Sequence, residues 1–249
     1  MVFQDLHAHT YYSFDSDDRP EKVIETAIAG GIKTLGITDH NHGVGLARKS
    51  LCYYKGTDLS TDYEQTLVRY FDHINLLKDK YRNKINILRG IEVATCVGKD
   101  NYALPENADI SFFDYCLVEG LDKANSITKG DIFAFAKRCG CTTGIAHTDL
   151  FAFIKSIGEE PFRYFRKLAE HNIFWEINVN LDSSHGFKAY DYATEFLKNK
   201  EQQDVVKKSG VRLSVGFDSH AIREYKPERI KSACTVIKNA GIHLVFEGI

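Results

Sequence analysis

Apolar, β-rich runs recur along the chain, and amphipathic helical patterns separate them. The runs lie near residues 2–6, 34–38, 85–92, 115–118, 142–146, 173–178 and 211–217. Helical patterns fall at 20–29, 62–81, 128–139, 161–171, 190–209 and 227–240. In 62–81, Leu67, Phe71, Ile74 and Leu77 repeat at helical spacing. Asp18 as an N-cap, Pro20 in the first turn and Gly30-Gly31 as a stop frame the first helix. Strands alternating with helices predict parallel βαβ units. Near-continuous apolar strands predict a sheet covered on both faces.

Right-handed crossovers of this kind either wind an open sheet or close a barrel. The polar residues decide between the two. His7 and His9, Asp39-His40, Glu92, His147, Glu176, and Asp218 with His220 stand at or just past six of the seven predicted strand ends. An open sheet draws its site from few strands, at a switch point. A closed barrel turns every strand end toward one mouth. The pattern therefore predicts an α/β, seven-stranded, TIM-like (β/α) barrel forming a single domain over residues 1–249. The long polar connections 41–61, 94–112 and 181–188 would line its mouth.

Composition narrows the function classes. A 249-residue chain can bury a full barrel core. The formal net charge is −2, the pI is near 6.6, and no polybasic cluster appears. This argues against a surface that tracks nucleic acid. No apolar run approaches the roughly 20 residues of a membrane span. No basic region followed by an apolar core marks a signal peptide. Cys52, Cys96, Cys116, Cys139, Cys141 and Cys234 are scattered, without a Cys-x-x-Cys pair. Reduced thiols in a cytoplasmic protein are expected.

In the opening stretch Asp5-Leu6-His7-Ala8-His9-Thr10, alternation along a strand aims His7 and His9 to one face. Two neutral imidazoles so placed are natural metal ligands. Asp15, His40, Glu92, His147, Asp218 and His220 extend the set to five histidines and three carboxylates. Zinc takes about four ligands, so these would serve two or three divalent ions. Glu92 could bridge two of them. Asp39 is a candidate hydrogen-bond acceptor for a ligand histidine, or else a loop cap. His42 and His185 fall in mouth loops, near where substrate would sit. His73, His171 and His243 fit purely structural roles.

The ordered set Asp-Leu-His-Ala-His-Thr, Gly-Ile-Thr-Asp-His, Gly-Ile-Glu, Ala-His and Phe-Asp-Ser-His, from residue 5 to residue 220, resembles the PHP (polymerase and histidinol phosphatase) family. The resemblance implies a distorted seven-stranded barrel with two or three zinc, manganese or iron ions at its mouth, and phosphoester hydrolysis. It implies His7, His9, Glu92 and Asp218 at the first metal, Glu92 and His147 at the second, and Asp15, His40 and His220 at the third. Relatives commonly carry a histidine after strand four. Here the stretch Asp114–Leu121 has none, so either Glu119 substitutes or the second ion is held with more water.

The implied reaction is hydrolysis of small phosphomonoesters, histidinol phosphate among them, by hydroxide formed on the metals. His9, Glu92 and Asp218 would orient the cluster as its catalytic residues. Arg223 would add a positive charge to the phosphate, with Lys155 and Arg48 as rivals. Tyr11, Tyr12, Phe14, Tyr53 and Tyr54 offer aromatic faces for a leaving group, or pack the loops. The alternatives are a phosphodiesterase or exonuclease, and a non-catalytic, metal-stabilised regulatory domain.

Overall fold

A computed structural model describes residues 2–42, 44, 59–96, 103–106, 108–180 and 191–248, with side chains omitted for 59–66. Arg48, Cys52, Tyr53, Tyr54 and His185 lie outside the described residues.

Each apolar run forms a strand: β1 (Gln4–Asp5), β2 (Thr34–Ile37), β3 (Asn86–Ala94), β4 (Tyr115–Glu119), β5 (Thr142–Ile145), β6 (Phe174–Asn178) and β7 (Leu213–Gly216). They pair in parallel and in sequence order. The last strand returns to the first. Leu6 N–H donates to the Val215 carbonyl at 2.9 Å, Asp218 N–H to His7 at 2.7 Å, and His9 N–H to Ser219 at 2.9 Å. The seven strands therefore make a TIM-like α/β barrel. Regular β1 is shorter than the apolar run, because residues 6–9 turn much of their bonding from β2 toward β7.

Eight α-helices wrap the ring among the described residues: α1 (Pro20–Ala29), α2 (Leu59–Tyr81), α3 (Ile132–Cys139), α4 (Leu150–Ser156), α5 (Pro161–Glu170), α6 (Asp191–Lys198), α7 (Lys200–Ser209) and α8 (Pro227–Asn239). Side-chain caps explain where the outcome departs from the pattern. Asn199 accepts from the backbone N–H groups of Glu201 and Gln202 and so splits the expected 190–209 helix in two. Asp131 caps α3, which starts later than expected. Asp149 caps α4, a helix that the pattern did not predict. Asp18 does not cap α1. Its carboxylate instead accepts Ile222 N–H at 2.6 Å, tying the loop after β1 to the turn after β7.

The barrel interior is filled from one end. Leu6, Leu88, Tyr115, Leu117, Ala146, Phe174 and Val245 form an apolar cluster there. Tyr115 donates its hydroxyl to the Leu6 carbonyl at 2.7 Å. Glycines make the space: a Cβ on Gly36 would lie 1.7 Å from the Tyr115 hydroxyl oxygen, and one on Gly90 2.7 Å from its ring. After α8 the chain closes the same end, where Val245 N–H donates to Leu213 at 2.8 Å and Gln4 Nε2 to Val245 at 2.8 Å. Polar side chains inside the ring are left to gather at the opposite, C-terminal mouth. No helix among the described residues is long and apolar enough to cross a membrane.

Gly36→Ala should displace Tyr115 and cost about 1–3 kcal/mol, the usual range for overpacking a core. A thermal melt should show a lowered Tm; an unchanged Tm would contradict this packing of the interior.

Candidate metal centre

Six of the eight ligand candidates stand just past strand ends at the mouth, Glu92 lies two residues inside the end of β3, and Asp15 comes from the loop after β1. Strand alternation brings the His7 and His9 Nε2 atoms to 3.1 Å from each other. The Asp218 carboxylate lies 3.1 Å from His9 Nε2 and 3.4 Å from His7 Nε2. Glu92 is the hub. Its Oε1 lies 3.0 Å from His147 Nε2, and its Oε2 lies 3.0 Å from His40 Nδ1 and 3.4 Å from both His7 and His9. Asp15 Oδ2 meets His220 Nε2 at 3.2 Å and His40 Nε2 at 3.6 Å. All eight residues therefore converge. Three groups bring their ligand atoms within 4.8 Å of one another: His7, His9 and Asp218; His9, His40 and His220; and His40, Glu92 and Glu119. Glu119 thus joins the cluster from the end of β4, where the sequence lacks a histidine.

Burial makes this cluster electrostatically demanding. It raises the cost of charge on every member, yet Glu92, Asp218 and Asp15 stay charged. Burial pushes Glu92 up, but the positive charges of His7 and His40 hold it well below the usual carboxylate range. Asp218 is lowered by the charges of His7 and His220, and Asp15 by its close contacts with His220 and His40. Reciprocally, carboxylates overcome burial to hold His7 and His40 well above the usual histidine value. His147 rises to about 9 by its contact with Glu92. His9 goes the other way, down to about 3, through burial and the charge of His220. Glu119 is raised by burial and by the charge of Glu92. Without a cation, protons on the imidazoles supply the positive charge that the acids require.

The donor set fits divalent cations. Glu92 Oε2 and His40 Nδ1, though 3.0 Å apart, are not aligned for a hydrogen bond, and Asp15 Oδ1 has no hydrogen-bond partner among the described residues. Buried polar atoms are rarely left so. Imidazole nitrogens and carboxylate oxygens converging at this spacing suit zinc, manganese or iron. Two candidate ligands also sit in strained backbone, His147 at φ 21° and Asp218 at φ 56°. Such positive φ costs a non-glycine residue roughly 1–2 kcal/mol and is concentrated at functional sites.

Glu176 is the residue that the sequence reading placed at the mouth but left without a role. Fully buried, it accepts from His7 Nδ1 at 2.7 Å and from His147 N–H at 2.8 Å. Gly216 leaves the room, since a Cβ there would sit 2.0 Å from Glu176 Oε1. The signal was a lone acid in the apolar run Phe174-Trp175-Glu176-Ile177. Asp39 accepts from Thr10 N–H at 2.6 Å, Thr10 Oγ1 at 2.8 Å and Ser13 N–H at 3.0 Å, so it organises the loop after β1.

The remaining candidates are dispersed. Phe14 stacks near His40 and His42, with ring centroids 5.3 and 4.9 Å away. Tyr12 packs on Tyr70 and bonds His73 Nδ1 at 2.7 Å, and Tyr11 is exposed. Arg223 stands on a 3-10 turn (Ile222–Glu224) with its side chain 82% exposed, 3.6 Å from Glu224. Lys155 is exposed in the last turn of α4. His171 bonds the Lys167 carbonyl at the end of α5.

Residues 5–242 match the PHP domain family model. A curated relative, the histidinol-phosphatase of Lactococcus lactis subsp. lactis, is 26% identical, over 96% of this chain and 91% of its own length. A crystal structure of histidinol phosphate phosphatase from that organism, in complex with zinc, L-histidinol and phosphate, superposes with a TM-score of 0.60. It is 22% identical, and the match covers 97% of this chain and 95% of that one. The structural likeness speaks to the fold.

Metal binding here must displace protons from His7, His40 and His147. Zinc affinity should therefore fall as pH is lowered from about 8 to about 6, and zinc should acidify a weakly buffered neutral solution. Calorimetric titration checks both; affinity independent of pH would contradict the assignment.

Proposed function

The chain belongs to the PHP domain family, and on that premise we propose that its mouth cluster is the active site of a phosphatase. The protein is a metal-dependent hydrolase of small phosphomonoesters. The observation that carries this reading is the convergence of five imidazoles with Asp15, Asp218 and the buried Glu92. Histidinol phosphate is the proposed substrate, by analogy with the Lactococcus relative, which gives the chain a place in histidine biosynthesis. The cytoplasm is the proposed compartment.

In this proposal His7, His9, Glu92 and Asp218 would hold a first ion. Glu92, His147 and Glu119 would hold a second, and Asp15, His40 and His220 a third. Zinc, manganese and iron all suit such mixed nitrogen and oxygen donors. When bound, the ions supply Lewis acidity to the phosphoryl oxygens and make water acidic enough to lose a proton near neutral pH.

The chain's own contribution is placement and charge. Phosphoryl transfer needs little covalent help from protein groups and much electrostatic positioning. Glu92 presents Oε1 to His147 and Oε2 to His40, His7 and His9, so one buried side chain ties four imidazoles together. Glu176 fixes His7 through Nδ1 and anchors the backbone that presents His147. Orientation of ligand imidazoles by buried carboxylates strengthens them as donors. Glu92, Asp218 and Asp15 are held ionised, so on the acid side the set needs no proton loss at neutral pH; only the imidazoles must give up protons to a cation. Phe14 and His42 form an aromatic wall beside His40, suited to a flat leaving group such as an imidazole ring.

His9→Ala and Asp218→Ala should each abolish hydrolysis of histidinol phosphate, a loss of at least about 1,000-fold, while circular dichroism stays native. A steady-state phosphate-release assay checks this. Wild-type-like turnover by either variant would remove the proposed mechanism.

A further inference from the structure

The structure holds its two neighbouring strand-one imidazoles by different means. His7 leans directly on a carboxylate, Glu176. His9 does not: its Nδ1 lies 2.9 Å from the Ser13 hydroxyl oxygen. That hydroxyl lies 2.7 Å from Asp39 Oδ1 and accepts His40 N–H at 3.1 Å. All four residues are buried.

Counting donors fixes the protons. A serine hydroxyl has one hydrogen to give and two lone pairs to receive. Asp39 Oδ1 already accepts from Thr10 N–H and Ser13 N–H, so it serves as the acceptor of the Ser13 hydrogen as well. Both lone pairs are then taken, one by His40 N–H and the other by His9 Nδ1. His9 must carry its proton on Nδ1 to make that bond. Its Nε2 lone pair is left bare, 3.1 Å from both His7 Nε2 and Asp218 Oδ1, pointing into the cluster.

We propose that Ser13 and Asp39 form a positioning relay that locks His9 in the Nδ1–H tautomer and so prepares its Nε2 to bind a cation. The relay rests on the metal-centre reading above. The single hydroxyl also pins the start of the β2 loop through His40 N–H, so it keeps His9 and His40 in register with each other. Asp39 stiffens the assembly by gathering Thr10 and Ser13 as well. Without the hydroxyl, His9 would lose its only Nδ1 acceptor among these residues and could place its proton on Nε2, where it blocks the metal.

Two measurements test the relay. Long-range proton–nitrogen correlation spectra of the zinc-loaded wild-type protein should show the His9 proton on Nδ1; a proton on Nε2 would overturn the proposal. Zinc titration should show Ser13→Ala weakened by about 10–100-fold, as when the partner of a ligand histidine is removed. Ser13→Thr, which keeps the hydroxyl, should retain near wild-type affinity and apoprotein stability. Equal zinc affinity in wild type and Ser13→Ala would overturn the relay while leaving the metal centre intact. A wild-type protein that binds no zinc would instead overturn the metal-centre reading itself.

Discussion

The structure depends on one enforced crowding. Glu92 is buried at the centre of four imidazoles, with nitrogen–oxygen distances of 3.0 to 3.4 Å. Groups so desolvated are tolerated only when compensated. In the metal-free protein protons on His7, His40 and His147 provide the compensation. Divalent ions provide it more economically, because one ion satisfies several donors at once and leaves every imidazole neutral.

The barrel exists to impose that crowding. Parallel strands deliver their C-terminal ends to a single rim, so residues far apart in sequence meet there. Packing at the other end keeps the rim in place. Tyr115 and the 242–248 segment seal the interior, and Gly36, Gly90 and Gly216 yield the space that Tyr115 and Glu176 require. The strained backbone at His147 and Asp218 shows that the packing of the rim overrides local preference. Their side chains are aimed by the surrounding hydrogen bonds, such as that from His147 N–H to Glu176.

Much of this was legible in the sequence, because its two strongest signals are local. Apolar runs flanked by amphipathic stretches mark the strands, and polar residues at their ends mark the rim. The histidines and acids at strand ends were readable for the same reason. What escaped depends on single side chains that override periodicity or act across the barrel. Asn199 and Asp149 redraw helix boundaries by capping. Glu176 and Ser13 matter through bonds to residues brought near by folding, and no spacing rule reveals such a bond. Glu119 was readable as a candidate only because the resemblance marked a gap at the end of β4.

Membership of the PHP family and the site's composition lead to one account: a barrel rim that concentrates divalent cations in order to hydrolyse a phosphomonoester. Anomalous diffraction from crystals grown with zinc tests it most directly. The account predicts anomalous peaks bounded by His7, His9, Glu92 and Asp218, with further density toward His147, Glu119, His40, Asp15 and His220. A well-ordered mouth without an anomalous peak at saturating zinc, manganese or iron would contradict it.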